Sequence, residues 1–191
     1  MDVLIRSILS QNTNDANRDR AYERLRTEYP TWEQVASARL GDVGRAIMPA
    51  GLFRQKSRAV KGLLRYLTRR DGALDGGFLC RMESREAIAE LTALRGIGIK
   101  TVSVALMFGC GRDDVFAVDT HVLRVSKRLE ILPSNTGAEK AHHLLGEIVP
   151  KGAAVSLHLN MVRHGREVCR ARRPLCPDCV LGARCPWPDK S

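Results

Sequence analysis

The stretch CRARRPLCPDCVLGARC places four cysteines, Cys169, Cys176, Cys179 and Cys185, within seventeen residues. Intervals of six, two and five residues suit one metal centre, and Cys176 and Cys179 have the spacing of a typical ligand pair. Spacing alone admits zinc or an iron–sulfur cluster. Arg163, Arg166, Arg170, Arg172 and Arg173 all lie within six residues of Cys169. A basic loop between the first two ligands can present cations to phosphates without a core of its own; the plainer alternative is a solvated loop. Cys80 and Cys110 stand apart and are expected to be reduced and partly buried.

A second constellation lies in ALRGIGIKTVSVALMF. One helix is expected to end at Leu94, Gly96-Ile97-Gly98 to form a tight turn, and another helix to begin near Ile99, with Ile97 facing inward. Glycine allows the left-handed backbone such a hairpin needs. The amides of the turn and of the next helix start then converge on a spot that suits a phosphate. Lys100 falls in the first turn of the second helix, where the positive end of the dipole disfavours an ammonium ion and favours a nucleophilic amine. A solvated lysine is the commoner fate, so Lys100 needs a partner. DDVFAVDTHVLRVSKRL supplies Asp119, between apolar Val115–Val118 and the stripe Val122, Val125, Leu129. By position alone Asp119 reads first as a helix N-cap.

The elements that must position these groups are helical. Apolar residues recur at helical spacing in 14–29 (Ala16, Ala21, Leu25, Tyr29) and in 54–70 (Ala59, Leu63, Tyr66, Leu67). Ser84 is an expected N-cap, and Thr136 with Glu139 an expected capping box. The segment from Asp71 to Gly77 is the best exposed loop. No alternating run of strand length appears, so the fold class is all-α. The 191 residues carry 31 basic against 21 acidic side chains, a formal charge of +10, which favours a polyanionic partner, nucleic acid first. No stretch resembles a signal peptide or a membrane span, so a cytoplasmic protein is expected. His142 and His143 are expected in solvent, and His121 and His164 in packing or hydrogen bonding.

LRGIGIKTVSV, FAVDTHVLRV and HGREVC with the cysteines that follow resemble, in order and spacing, the endonuclease III family of helix-hairpin-helix (HhH-GPD) DNA glycosylases. The resemblance runs over nearly the whole chain. It implies two helical lobes: a six-helix barrel over 1–114, with the helix-hairpin-helix at about 85–108, and a cluster lobe over 115–191. It implies Lys100 as nucleophile, Asp119 as catalytic carboxylate, and a 4Fe–4S cluster on the four cysteines, with the cleft between lobes bringing Lys100 and Asp119 together. Gly96, Ile97, Gly98 and Thr101 fall in the DNA-binding hairpin. Arg95 stands where the family usually has proline, and could add a phosphate contact.

MPAGLFRQKS resembles the segment whose leucine wedges into the duplex, here Leu52, and LSQNTND the polar plug, with Gln11 or Asn12 inserting. The bland readings are a surface leucine and a polar helix end. Arg170, Arg172 and Arg173 become phosphate contacts. The implied partner is double-stranded DNA with damaged bases or abasic sites, bound by a monomer away from any membrane. The implied activity is a bifunctional N-glycosylase and AP lyase acting on damaged, chiefly oxidised, pyrimidines. Two alternatives stay open: a thymine or uracil mismatch glycosylase of the same superfamily, and a non-catalytic helix-hairpin-helix DNA-binding protein.

Overall fold

The computed structural model describes residues 1–70 and 72–187, and every regular element among them is helical. The chain forms two compact units, Met1–Cys110 and Gly111–Ser191. No helix among the described residues is long and apolar enough to cross a membrane.

The first unit contains α1 (Asp2–Leu9), α2 (Asp15–Glu28), α3 (Trp32–Ser37), α4 (Leu40–Ala46), α5 (Phe53–Arg70), α6 (Gly77–Arg81), α7 (Ser84–Thr92) and α8 (Ile99–Val104). The starts follow local chemistry. Asn14 accepts from the Asn17 amide at 2.8 Å, and Thr31 with Gln34 forms a complete capping box. The long helix α5 buries Ala59, Val60, Leu63, Leu64 and Leu67 along one stripe, while Arg58, Arg65 and Arg69 stay exposed. Each leucine buried there contributes about 1.5–3 kcal/mol. Helix α8 continues into a widened π turn, Ala105–Gly109, which buries Ala105, Leu106 and Met107.

In the second unit, the buried residues Val115–Val118 lead into α9 (Thr120–Arg128), followed by α10 (Ala138–Ile148) and α11 (Ala154–Glu167). Helices α9 and α11 cross closely because position 165 has no side chain. A Cβ on Gly165 would lie 2.8 Å from that of His121.

Several expectations are corrected. Helix α7 ends at Thr92 rather than Leu94, since Leu94 belongs to the turn and accepts from the Ile97 amide at 3.1 Å. Ser84 is the first helical residue of α7, with Glu83 as its cap. Gly137, not Thr136, precedes α10, because a turn from Pro133 draws Thr136 into the interior. Ala16 is exposed, and Tyr22 takes its place on the buried face of α2. Asp71 lies outside the described residues; in the loop it opens, Leu74 is buried rather than exposed. His142 is 5% exposed, because its ring is drawn to a backbone carbonyl.

Cys80 and Cys110 are joined as a disulfide, with Cα atoms 5.1 Å apart. The expectation of reduced thiols rested on compartment; the packing of α6 beside the π turn decides otherwise. The ring so closed contains α7, the hairpin, Lys100 and α8. Closing a separation of 30 residues contributes roughly 3–4 kcal/mol in the chain-entropy view. Peptide mapping without reductant should recover the linked pair. A Cys80→Ala/Cys110→Ala variant should melt several degrees lower, at about 2–4 °C per kcal/mol for a chain of this size.

Candidate active site

The hairpin is built from two glycines with different duties. Gly96 has φ of 88°, which side chains rarely adopt, and a Cβ there would lie 2.9 Å from that of Ala59 on α5. Its turn is therefore seated on α5. Ile97 is 4% exposed and anchors the hairpin in the core. Gly98 adopts an ordinary extended φ, and a Cβ on it would meet nothing within 4 Å. It precedes α8 without a side-chain cap, so the first amides of α8 have no intrahelical acceptor. Lys100 is the second residue of α8 and half-buried; Thr101 behind it is buried. Arg95 is exposed on the same turn.

Two loops in this unit share the hairpin's foundations. Gln11 Nε2 donates to the Gly96 carbonyl at 3.1 Å, which ties the loop after α1 to the hairpin. Asn12, exposed, and Leu52, 46% exposed, both adopt left-handed backbone, with φ of 50° and 46°. Such values in non-glycine residues cost about 1–3 kcal/mol and persist only where surroundings enforce them. Leu52 also accepts from the amides of Gln55 and Lys56, at 2.9 and 3.0 Å, and so opens α5.

In the second unit Asp119 is the N-cap of α9, its Oδ1 accepting from the Val122 amide at 2.7 Å. The segment before it is held from behind by two histidines. Nδ1 of His142 donates to the Phe116 carbonyl at 3.0 Å, and Nδ1 of His158 to the Ala117 carbonyl at 2.8 Å. A carbonyl oxygen only accepts, so each Nδ1 carries its proton.

The four cysteines of the second unit are free thiols lining one cavity, with Val125, Leu129, His164, Leu175 and Trp187. Its enclosed volume is about 30 Å3. Among the described residues no group of three histidine, cysteine or acidic side chains is placed to hold a single metal ion. Donors surround the cavity: Arg128 Nη1 lies 3.3 Å from Cys169 Sγ, and the buried Trp187 Nε1 has no hydrogen-bond partner among the described residues. Burial holds the His164 imidazole below its ordinary pKa, and its Nε2 lies 3.8 Å from Cys179 Sγ. Such an array suits an anionic sulfur centre.

Arg170, Arg172 and Arg173 are exposed on the loop between the first two cysteines. The loop is braced by two arginines of α9. Arg124 donates to the carbonyls of Gly165 and Cys169 at 2.7 and 3.0 Å, and Arg128 to those of Arg170 and Ala171 at 2.7 and 3.3 Å. Sequence reasoning passed over both, along with Lys56, Trp187 and the role of His158. The spacing of Arg124 and Arg128, one helical turn apart, was the available signal.

The chain matches the HhH-GPD superfamily of base excision DNA repair proteins over residues 5–151. It is 32% identical over 183 residues to endonuclease III of Thermotoga maritima, spanning 96% of this chain and 81% of that one. It belongs to the endonuclease III family. Two solved structures agree. One is a non-covalent endonuclease III–DNA complex, at TM-score 0.81 and 30% identity, covering 96% of this chain and 81% of that chain. The other is a trapped endonuclease III–DNA covalent intermediate, at TM-score 0.79 and 31% identity, covering 96% and 82%. As an endonuclease III homologue the chain is a base excision DNA repair enzyme, a DNA glycosylase and AP lyase. The endonuclease III family generally carries a 4Fe–4S cluster.

The cap at Asp119 gives a test of geometry alone. Asp119→Ala should cost about 1 kcal/mol in denaturant titrations, whereas Asp119→Asn, which keeps an acceptor oxygen, should stay within a few tenths.

Proposed function

We propose that the chain is a bifunctional glycosylase for damaged, chiefly oxidised, pyrimidines in duplex DNA, working in the cytoplasm as a monomer, with Lys100 as nucleophile and Asp119 as catalytic carboxylate. The observation that supports it best is the open space over Gly98 beside uncapped α8 amides and Lys100, within a chain of this family. A phosphate can approach there without displacing any side chain, which brings a nucleotide to the amine. Gly96, Ile97 and Thr101 hold that surface, and Arg95 adds a cation beside it.

A base in a duplex must leave the stack before it reacts. Leu52 wedges into the duplex and Gln11 or Asn12 fills the space the base vacates. Nζ of Lys100 then attacks C1′ as the C1′–N bond breaks, and the base departs. Asp119 stabilises the developing positive charge at C1′ and accepts the proton of the attacking amine. The C1′–N linkage opens the sugar to a protonated Schiff base, which acidifies C2′. Loss of the C2′ proton expels the 3′ phosphate, and water later releases Lys100. A lysine nucleophile thus accounts for strand scission as well as base release.

Cys169, Cys176, Cys179 and Cys185 would hold a 4Fe–4S cluster. Four cysteines lining one cavity beside the Arg128 guanidinium, in a chain of this family, support that reading. When bound it supplies the cross-links that fold the loop carrying Arg170, Arg172 and Arg173. Those arginines contact phosphates and carry no base information.

Borohydride should trap the wild-type protein covalently on duplexes with an oxidised pyrimidine, and much less on G·T or G·U duplexes. Lys100→Gln should abolish trapping, base release and nicking while binding stays within a few-fold; residual nicking would assign the nucleophile elsewhere. Asp119→Asn should slow chemistry by about 10²-fold or more without lowering stability. Trapping confined to G·T would make the enzyme a mismatch glycosylase, and no trapping at all would leave a DNA-binding protein.

Replacing Arg170, Arg172 and Arg173 by alanine should lower the slope of log K against log salt by about 0.9 per lost phosphate contact, equally on damaged and intact duplexes. Iron and sulfide should persist at about four each per chain in that variant. An unchanged slope would return the loop to solvent, and zinc without iron would reject the cluster.

A further inference from the structure

Lys56 is the largest wholly enclosed side chain in the first unit among the described residues, 2% exposed. Its Nζ donates to the Leu9 carbonyl at 2.8 Å and to the Ala50 carbonyl at 2.7 Å. Leu9 is the last residue of α1, two residues before Gln11. Ala50 ends a short 3-10 turn (Met48–Ala50), two residues before Leu52. Both acceptors are carbonyls left over at helix ends, and a buried one without a donor is costly. One ammonium group therefore holds the roots of two loops 41 residues apart in sequence. One turn along α5, Ala59 seats Gly96, and Gly96 accepts from Gln11. The plug loop, the wedge loop and the hairpin share a single support.

The tips themselves are held by backbone turns and by the Gln11 side chain on Gly96. Asn12 and Leu52 are the non-glycine residues of the first unit in left-handed backbone among the described residues, and each follows a clamped carbonyl closely. An apolar residue at 56 would leave two carbonyls bare, and the loops would relax from these backbone states. Burial pushes the Lys56 ammonium down to about 8, so the site accepts an energetic penalty that simple packing would avoid. The clamp also keeps the long stem of Lys56 among apolar neighbours.

We propose that Lys56 is a positioning residue for base opening: by bridging the Leu9 and Ala50 carbonyls it holds Gln11–Asn12 and Leu52 in mutual register on α5, without itself touching DNA. The inference rests on those loops entering the duplex, as the function above assigns. Lys56 acts before the chemical step, so its loss separates opening from Schiff-base formation.

The test uses the full chain with its metal centre, as Lys56→Met and, in case the apolar variant folds poorly, Lys56→Gln. Each is compared with wild type on three substrates: a lesion in a paired duplex, the same lesion in an unpaired bubble, and a single strand with a preformed abasic site. Both variants should lose at least about tenfold in base release from the paired duplex, since small misplacements of positioning groups cost that much or more. Release from the bubble and borohydride trapping on the abasic strand should stay within about twofold. A 2-aminopurine beside the lesion should brighten less on binding than with wild type, as with Leu52→Ala. An equal loss on all three substrates, or a wild-type ratio of paired to bubble rates, would overturn the proposal and leave Lys56 a purely structural cap. If wild type itself fails to trap on the abasic strand, the functional assignment falls; if Leu52→Ala opens bases normally, the wedge role falls.

Discussion

A fold made of short helices has many helix ends, and every end leaves carbonyls that must find donors. This constraint organises both units. Lys56 serves the ends of α1 and of the 3-10 turn, and Lys61 serves the Val35, Ala36 and Ala38 carbonyls at the end of α3. Arg124 and Arg128 do the same for α11 and the loop beyond it, and His142 and His158 for the segment before α9. Long cationic side chains reach such carbonyls from a neighbouring helix, which short polar side chains cannot. The basic excess of the sequence is thus divided. Part of it faces outward, as at Arg172 and Arg173, and part is spent on internal carbonyls.

That division explains what the sequence revealed and what it hid. The hairpin was legible because Gly-x-Gly before a helical stripe has few other uses, and Ile97 is indeed buried. The all-helical class was legible from apolar spacing. Asp119 was legible as a cap, and that is where its Oδ1 goes. Lys56 was not: its spacing from Ala59, Leu63 and Leu67 puts it on the apolar stripe of α5, but a lysine reads as solvated and nothing local shows that two carbonyls await it. His142 failed in the same way: helical periodicity orders faces but does not reveal that a nearby carbonyl needs a donor. The Cys80–Cys110 bond depends on α6 meeting the π turn, a contact no local pattern encodes.

Both motif loops of the first unit end in residues with unfavourable backbone angles, while the residues just before them are clamped. Strain at a tip and rigidity at a root belong together, because a relaxed root would let the tip escape to an ordinary conformation. Asp119 shows the same economy in the second unit. One oxygen fixes the start of α9, and the same bond fixes where the carboxylate stands.

The seat of Gly96 on Ala59 also constrains what sequences this scaffold can explore. Position 96 cannot accept a side chain without both a backbone change and a collision with Ala59. No exchange of bulk between the two relieves the conflict, because the left-handed turn penalises one partner whatever the other becomes. Position 96 is therefore held to glycine by backbone and neighbour alike. The hairpin's place over α5 is therefore inherited as a unit, leaving variation to the exposed residues around it, such as Arg95.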